Sequence, residues 1–200
     1  FGNHTWSHPY DLIRLPEEEA RQEVLQCHHA VRKLTRNRPR VFRAPGYNMA
    51  PREYALLDEL GYLYDASPLP SYPYLAVKYA VKSAVAMTGR TSRSIWGTPA
   101  NFLGGREPYR LGNLWVLPNA VTPYLRLPVI GTTLATAPRV VVNHMLASMR
   151  KLDFVALEFH AVDLMELAGD RLPQALTSQK DLHVSVKSKQ ERYKHFPSLL

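Results

Sequence analysis

The first eight residues, FGNHTWSH, hold two histidines four apart, His4 and His8. On a helix that spacing turns two imidazoles to one side, where they can share a divalent ion. Thr5 stands where an H-E-x-x-H motif carries its glutamate, so a general base for such a site must come from elsewhere. Further along, FRAPGYN puts Arg43 at the carboxyl end of an expected strand. The Pro45-Gly46 turn after it can bring backbone N–H groups toward a ligand. Two more strand-like runs end in titratable residues: YLYDA carries Asp65, and FVALEFH delivers His160. Each candidate also has an ordinary reading. The histidine spacing arises by coincidence, Arg43 is a surface residue on a structural turn, Asp65 forms a turn, and His160 is a satisfied polar residue.

The elements that must position these residues are legible in part. In LPEEEARQEVLQCHHAVRKLT, the residues Ala20, Val24, Cys27, Val31 and Leu34 recur at helix period. Pro16 suits the first turn, the glutamates Glu17 to Glu19 favour the positive end, and Arg32 and Lys33 favour the other. His28 and His29 fall inside this helix; being adjacent, they point apart and read as ordinary helix residues. RVFRA at 40–44 predicts a strand, PREYALLDEL a second helix closed by Gly61, and YLYDA at 62–66 another strand. Helix and strand in alternation with short connections predict an α/β chain with parallel pairing. A long excursion from about 67 to 113 interrupts it, opened by the proline-rich SPLPSYPYL, with a helix expected near 75–87 and then a Gly-, Pro- and Arg-rich loop. LWVLP resumes the strands, a helix is expected over 140–150, and FVALEFH reads as a strand whose Val155, Leu157 and Phe159 alternate with Ala156, Glu158 and His160.

Two hundred residues suit one domain, and 46% hydrophobic with 21% charged residues is an ordinary globular composition. No run approaches the ~18 apolar residues of a membrane span, and the start lacks the basic and apolar regions of a signal peptide. Cys27, the lone cysteine, excludes an intrachain disulfide. The net charge of +8 is uneven: from Tyr72 to Gly112 six basic residues face Glu107 alone, and Lys180 to Lys194 adds five more against two acidic. No RNA-binding signature or zinc-finger spacing accompanies this charge. It fits a solvated face, an anionic substrate or a membrane-surface contact through the excursion better than sequence-specific nucleic-acid binding.

Taken together, the motifs follow an order that resembles the NodB-like polysaccharide deacetylases, carbohydrate esterase family four. That family is marked by H-[ST]-x-x-H, R-x-P, an Asp-containing segment and L-x-x-H. This chain reads His4-Thr5-Trp6-Ser7-His8, Arg43-Ala44-Pro45, Asp65 within DASPLP, and Leu157-Glu158-Phe159-His160. The resemblance runs through most of the chain, and the arginine-rich excursion with LWVLPNAVTPYLRLPVIG looks like a bacterial subgroup.

The resemblance implies a distorted (β/α) barrel that is incomplete at its N-terminus, with residues 1–200 as a partial NodB-homology domain. The family's earliest motif, T-F-D-D-G, precedes the histidines by tens of residues, so an N-terminally truncated piece of a longer deacetylase is expected. The implied activity is metal-dependent hydrolysis of an N-acyl amide, chiefly N-acetyl, on an amino sugar of a polysaccharide or glycolipid. His4 and His8 would ligate a divalent ion, zinc in most of the family, and Arg43 would orient an aspartate base from the missing motif. His160 would be the general acid, Leu157 would line the acyl pocket, and Asp65 would hold His160 charged. The family's D-x-x-D-W pattern around that aspartate lacks its second Asp and its Trp here. Gly46 stands where many members have a Tyr that lends its N–H to the oxyanion, and Tyr47 follows it. Two other readings stand beside this one: a carbohydrate-binding relative without catalysis, and a basic binding protein.

Overall fold

The structure, a computed structural model, describes residues 1–87 and 99–160. The centre of the basic excursion and the basic tail lie outside the described residues. The chain divides into two compact units, residues 1–119 and 120–200.

The first unit is built on α1 (Glu17–Thr35), β1 (Val41–Phe42), α2 (Pro51–Glu59) and β2 (Tyr64–Asp65), followed by α3 (Tyr72–Met87), α4 (Pro99–Leu103), β3 (Tyr109–Leu111) and β4 (Leu114–Val116). Among the described residues the strands form one four-stranded sheet in the order β1-β2-β4-β3. β1, β2 and β4 are parallel, as the alternation of helix and strand predicts. β3 pairs antiparallel with β4 through a tight Gly112-Asn113 turn in which Gly112 takes φ 61°, a conformation glycine adopts without strain. β4 is the strand expected at LWVLP, whereas β3 lies where the sequence suggests only loop.

Asn3 bridges Phe42 in parallel, so the chain start runs along β1 like a one-residue strand. Its N–H donates to Val41 O at 2.8 Å and its carbonyl accepts from Arg43 N–H at 3.0 Å. His4, Arg43, Ala66 and Leu117 therefore follow the carboxyl ends of neighbouring parallel segments, the edge where open α/β sheets place their ligands.

α1 begins behind Pro16 with three glutamates in its first turn and ends at Arg36, whose φ of 59° is a left-handed cap. Its buried face, Ala20, Val24 and His28, packs with Leu12, Phe42, Leu57, Tyr62 and Leu114 in the core of the unit. α2 starts with Pro51, and the Glu53 carboxylate reaches back to accept the Ala50 N–H at 3.0 Å. The helix expected at 75–87 begins earlier, at Tyr72, where Ser71 accepts the Tyr74 N–H on its Oγ at 3.2 Å.

The second unit holds α5 (Gly131–Thr136) and α6 (Arg139–Met149). Its core gathers Val129, Leu134, Val142, Met145, Leu146 and Met149, with Leu157 and Phe159 packed against it. FVALEFH is not a regular strand here, contrary to its alternation. Only Glu158 forms a bridge, parallel to Ile130, although the Ala156 carbonyl also accepts the Ala120 N–H at 2.8 Å.

Candidate functional site

The histidine motif is a loop, not the helix its spacing allows. Residues 3–8 contain no helix, and Thr5 and His8 take φ of 65° and 60°. Left-handed backbone at a β-branched Thr and at His costs on the order of 1–3 kcal/mol each, so surrounding bonds must hold it. Asn3, fully engaged, supplies several of them. Its Nδ2 donates to Val24 O at 2.8 Å and to Tyr62 Oη at 2.7 Å, while its Oδ1 accepts the Thr5 N–H at 2.9 Å. The His28 ring also meets Tyr62 Oη, at 3.1 Å. Burial, with His29, Arg32 and Arg38 nearby, lowers the His28 pKa, which fits a neutral helix-core residue.

The loop brings the two histidine rings together edge to face, with centroids 4.7 Å apart, and Tyr10 packs on His8 at 4.9 Å. His4 Nδ1 lies 2.7 Å from the carbonyl oxygen of Arg43. A carbonyl only accepts, so Nδ1 carries the proton and the lone pair of a neutral ring sits on Nε2. A backbone carbonyl on the far nitrogen is the arrangement that orients metal-ligating histidines. The pair thus fits two corners of a divalent-ion site. Among the described residues no group of three His, Cys, Asp or Glu side chains is gathered closely enough to hold an ion.

Arg43 is fixed from the neighbouring strand ends. Its Nε donates to Ala66 O and its Nη2 to Asn119 Oδ1, each at 3.0 Å. Asn119 is fully buried, and its Nδ2 ties back to Pro68 O at 3.0 Å and Ala66 O at 3.3 Å. A neutral amide holds the guanidinium without cancelling its charge. Asp65 is also fully buried, and its Oδ1 accepts from the Ser67 N–H at 3.1 Å and from the Ser67 hydroxyl. Ser67 Oγ in turn accepts the Ala44 N–H at 2.8 Å, so Asp65 braces the R-A-P loop through one intermediary. Burial pushes the Asp65 carboxyl up to about 6 against the opposing pull of Ser67, Tyr54 and Arg43. Its Oδ2 has no partner in hydrogen-bonding geometry, although the Tyr54 hydroxyl is near enough to favour the charged form.

After Pro45 the chain takes φ of 65° at both Gly46 and Tyr47. A Cβ on Gly46 would meet the Tyr10 ring at 3.2 Å, a tight contact that adds to the preference of this left-handed position for glycine. Tyr47 is buried against Tyr74, and its N–H donates to Ala44 O at 3.3 Å to close the turn. Asn48 beyond it is wholly buried with neither side-chain amide atom hydrogen-bonded.

In the second unit, His160 is exposed and Glu158 lies opposite it, Nε2 to Oε1 at 3.7 Å. That is the distance of an ion pair rather than of a hydrogen bond. Leu157, beside it, packs on the unit's core. The structure therefore joins His4, His8, Arg43, Gly46 and Tyr47 in one neighbourhood braced by Asp65, and places Leu157 and His160 in the other unit. Sequence reasoning passed over Asn119 and Glu158. Neither has a spacing signal, since an Asn after Leu-Pro and a Glu within a strand-like run are common.

Residues 1–64 match the family model described as polysaccharide deacetylase. The chain matches no curated protein. Among solved structures it is similar to a candidate polysaccharide deacetylase from Mycobacterium smegmatis, at 17% identity and a TM-score of 0.44. The match covers 100% of this chain and 64% of that one, so the chain spans less than two thirds of that protein's length. Over its first 64 residues, histidine and arginine motifs included, the chain is similar to the polysaccharide deacetylases.

Proposed function

We propose that the chain is part of a metal-dependent hydrolase that removes an N-acyl group, N-acetyl first among them, from an amino sugar of a polysaccharide or glycoconjugate. Its fold would be an incomplete (β/α) barrel of the NodB-homology type. The observation that carries the reading is the 2.7 Å contact of His4 Nδ1 with the Arg43 carbonyl, which joins the first motif to the second at the sheet's carboxyl edge. The family match over residues 1–64 supports it.

In this reading His4 and His8 hold a divalent ion, zinc by resemblance. When bound, such an ion polarises the acyl carbonyl and acidifies water. Arg43, held by Ala66 and Asn119, orients a carboxylate base with its remaining charge. The base of the family is one of two adjacent aspartates, and no Asp-Asp pair occurs in these 200 residues. The Gly46 N–H is the proposed donor to the developing oxyanion, at a turn whose Tyr47 N–H is already bonded to Ala44. Asp65 enters through the loop it fixes. His160 protonates the departing amine, and Leu157 borders the acyl group. The basic excursion faces the anionic part of a glycolipid or the membrane surface that carries it.

Acetate release from N-acetylchitopentaose by a protein that joins this chain to an Asp-Asp segment supplying the base, with zinc and with chelator, tests the reading. Chelator-sensitive release is expected, and His160→Ala should keep the metal while turnover falls about 10²–10⁴-fold. A zinc-loaded protein that binds the oligosaccharide and releases no acetate would instead be a carbohydrate-binding relative.

A further inference from the structure

The loop between the two histidines is held by a residue that no motif includes. Trp6 and Ser7 are the central residues of H-T-W-S-H, between the left-handed Thr5 and the left-handed His8. Their N–H groups both donate to Glu23 Oε2, at 3.0 and 2.7 Å, and the Ser7 hydroxyl donates to Glu23 Oε1 at 2.6 Å. Three donors from two consecutive residues thus converge on one carboxylate, and bonds to an ionised acceptor are about twice as strong as neutral ones. Glu23 projects from the middle of α1, an element fixed by the core packing of Ala20, Val24 and His28 on either side of it. The next residue's carbonyl, Val24 O, receives Asn3 Nδ2 at 2.8 Å, so the same stretch of helix holds the loop before His4 and between the histidines.

An unconstrained five-residue segment would leave φ at Thr5 and His8, and so the relation of the two rings, undetermined. Asn3 settles the start of the loop at Thr5; the Glu23 carboxylate settles the stretch that leads into His8. We propose that Glu23 is the positioning residue of the histidine pair: by clamping Trp6 and Ser7 to α1 it sets how His4 and His8 face a divalent ion. This rests on the reading of His4 and His8 as metal ligands. Glu23 itself is no ligand in this proposal, and it acts through the loop backbone.

The test is a zinc titration of the whole chain against a chromophoric chelator, for wild type, Glu23→Ala, Glu23→Gln and His4→Ala. Glutamine can still accept both N–H groups on its oxygen and donate to the Ser7 hydroxyl, so it preserves the clamp without the charge. Glu23→Ala is expected to weaken zinc binding about 10–100-fold, the range seen when an outer partner of a metal ligand is removed. Glu23→Gln should recover most of that loss. Alanine suits a helix interior, and equal thermal melting of the apo proteins would show that the fold is unaffected. Wild-type affinity in Glu23→Ala would overturn the proposal, as would an equal loss in Gln and Ala, which would mark a charge effect. If wild type and His4→Ala bind zinc equally, the metal reading fails instead. The clamp is then judged by NMR of the apo chain. Shifted His4 and His8 ring resonances in Glu23→Ala, restored in Glu23→Gln, would sustain it, and unmoved rings would refute it.

Discussion

Asp65 shows how one buried residue can work against stability while serving a site. Folding raises its carboxyl from 3.8 to about 6, because burial disfavours the charge more than Ser67, Tyr54 and Arg43 favour it. The native state therefore binds the proton more tightly than the unfolded chain. Its contribution is greatest below pH ~4 and is lost as the pH rises through about 6, a decline of roughly 3 kcal/mol. Asp65→Asn should remove that decline, so urea melts between pH 4 and 7 should show wild type losing stability relative to the variant. Parallel pH profiles would contradict the burial argument. Asn119 has the opposite balance, since every polar atom of its side chain is bonded. Asn119→Ala leaves the Arg43 guanidinium and the Pro68 carbonyl without that partner, at a loss of about 2 kcal/mol by denaturant melting. Asn119→Ala should also release the Arg43 Nη2 hydrogens to faster exchange by NMR. His4, His8, Arg43 and Asp65 could be picked from sequence because their chemistry is rare enough to notice. Asn119, Glu23 and Glu158 could not, because each takes its meaning from a partner far off in sequence or from the fold of the backbone beside it.

Among the elements, the helices were the legible part. α1 forms where the period of Ala20, Val24, Cys27, Val31 and Leu34 predicts it, although its buried face is Ala20, Val24 and His28 and Leu34 is exposed, and α2 is bounded by Pro51 and closed before Gly61, as the capping residues indicate. Strands were placed but not measured. RVFRA and YLYDA each contribute only two residues to the sheet, because pairing depends on the reach of a neighbour that sequence periodicity does not report. The same reason explains FVALEFH: its alternation is real, yet only Glu158 forms a bridge. β4 follows the strand read at LWVLP, but its partner β3 was missed although Gly112-Asn113 is a turn signal, since an excursion rich in Pro and Arg reads as loop. Helix packing carries the first unit's stability. Leu57→Ala, at a fully buried position of α2 beside Phe42 and Tyr62, should cost about 2–5 kcal/mol. Val140→Ala, exposed on α6, should change stability by less than about 0.5 kcal/mol. Guanidinium melts of the two variants check both, and an equal effect would mean that the burial pattern is wrong.

At the scale of the whole molecule, what can be argued from position is the carboxyl edge of the first unit's sheet. The chain start runs along β1, and β1, β2 and β4 run the same way, so residues 39 and 76 apart in sequence meet there: His4 beside Arg43, and Arg43 against Asn119. A parallel sheet does this without any sequence proximity, which is why the order of the motifs, rather than their spacing, carried the resemblance. The chain's charge of +8 gives the molecule as a whole an affinity for anions and names no particular one.

The most direct measurement is zinc affinity, by chelator competition, for wild type, His4→Ala and His8→Ala. Wild type should show one saturable site, weakened at least about 10-fold by either substitution, with the metal-free melting temperatures unchanged. Equal zinc affinity in all three proteins would mean that the histidine pair is not a metal site, and the hydrolase built on it would fall.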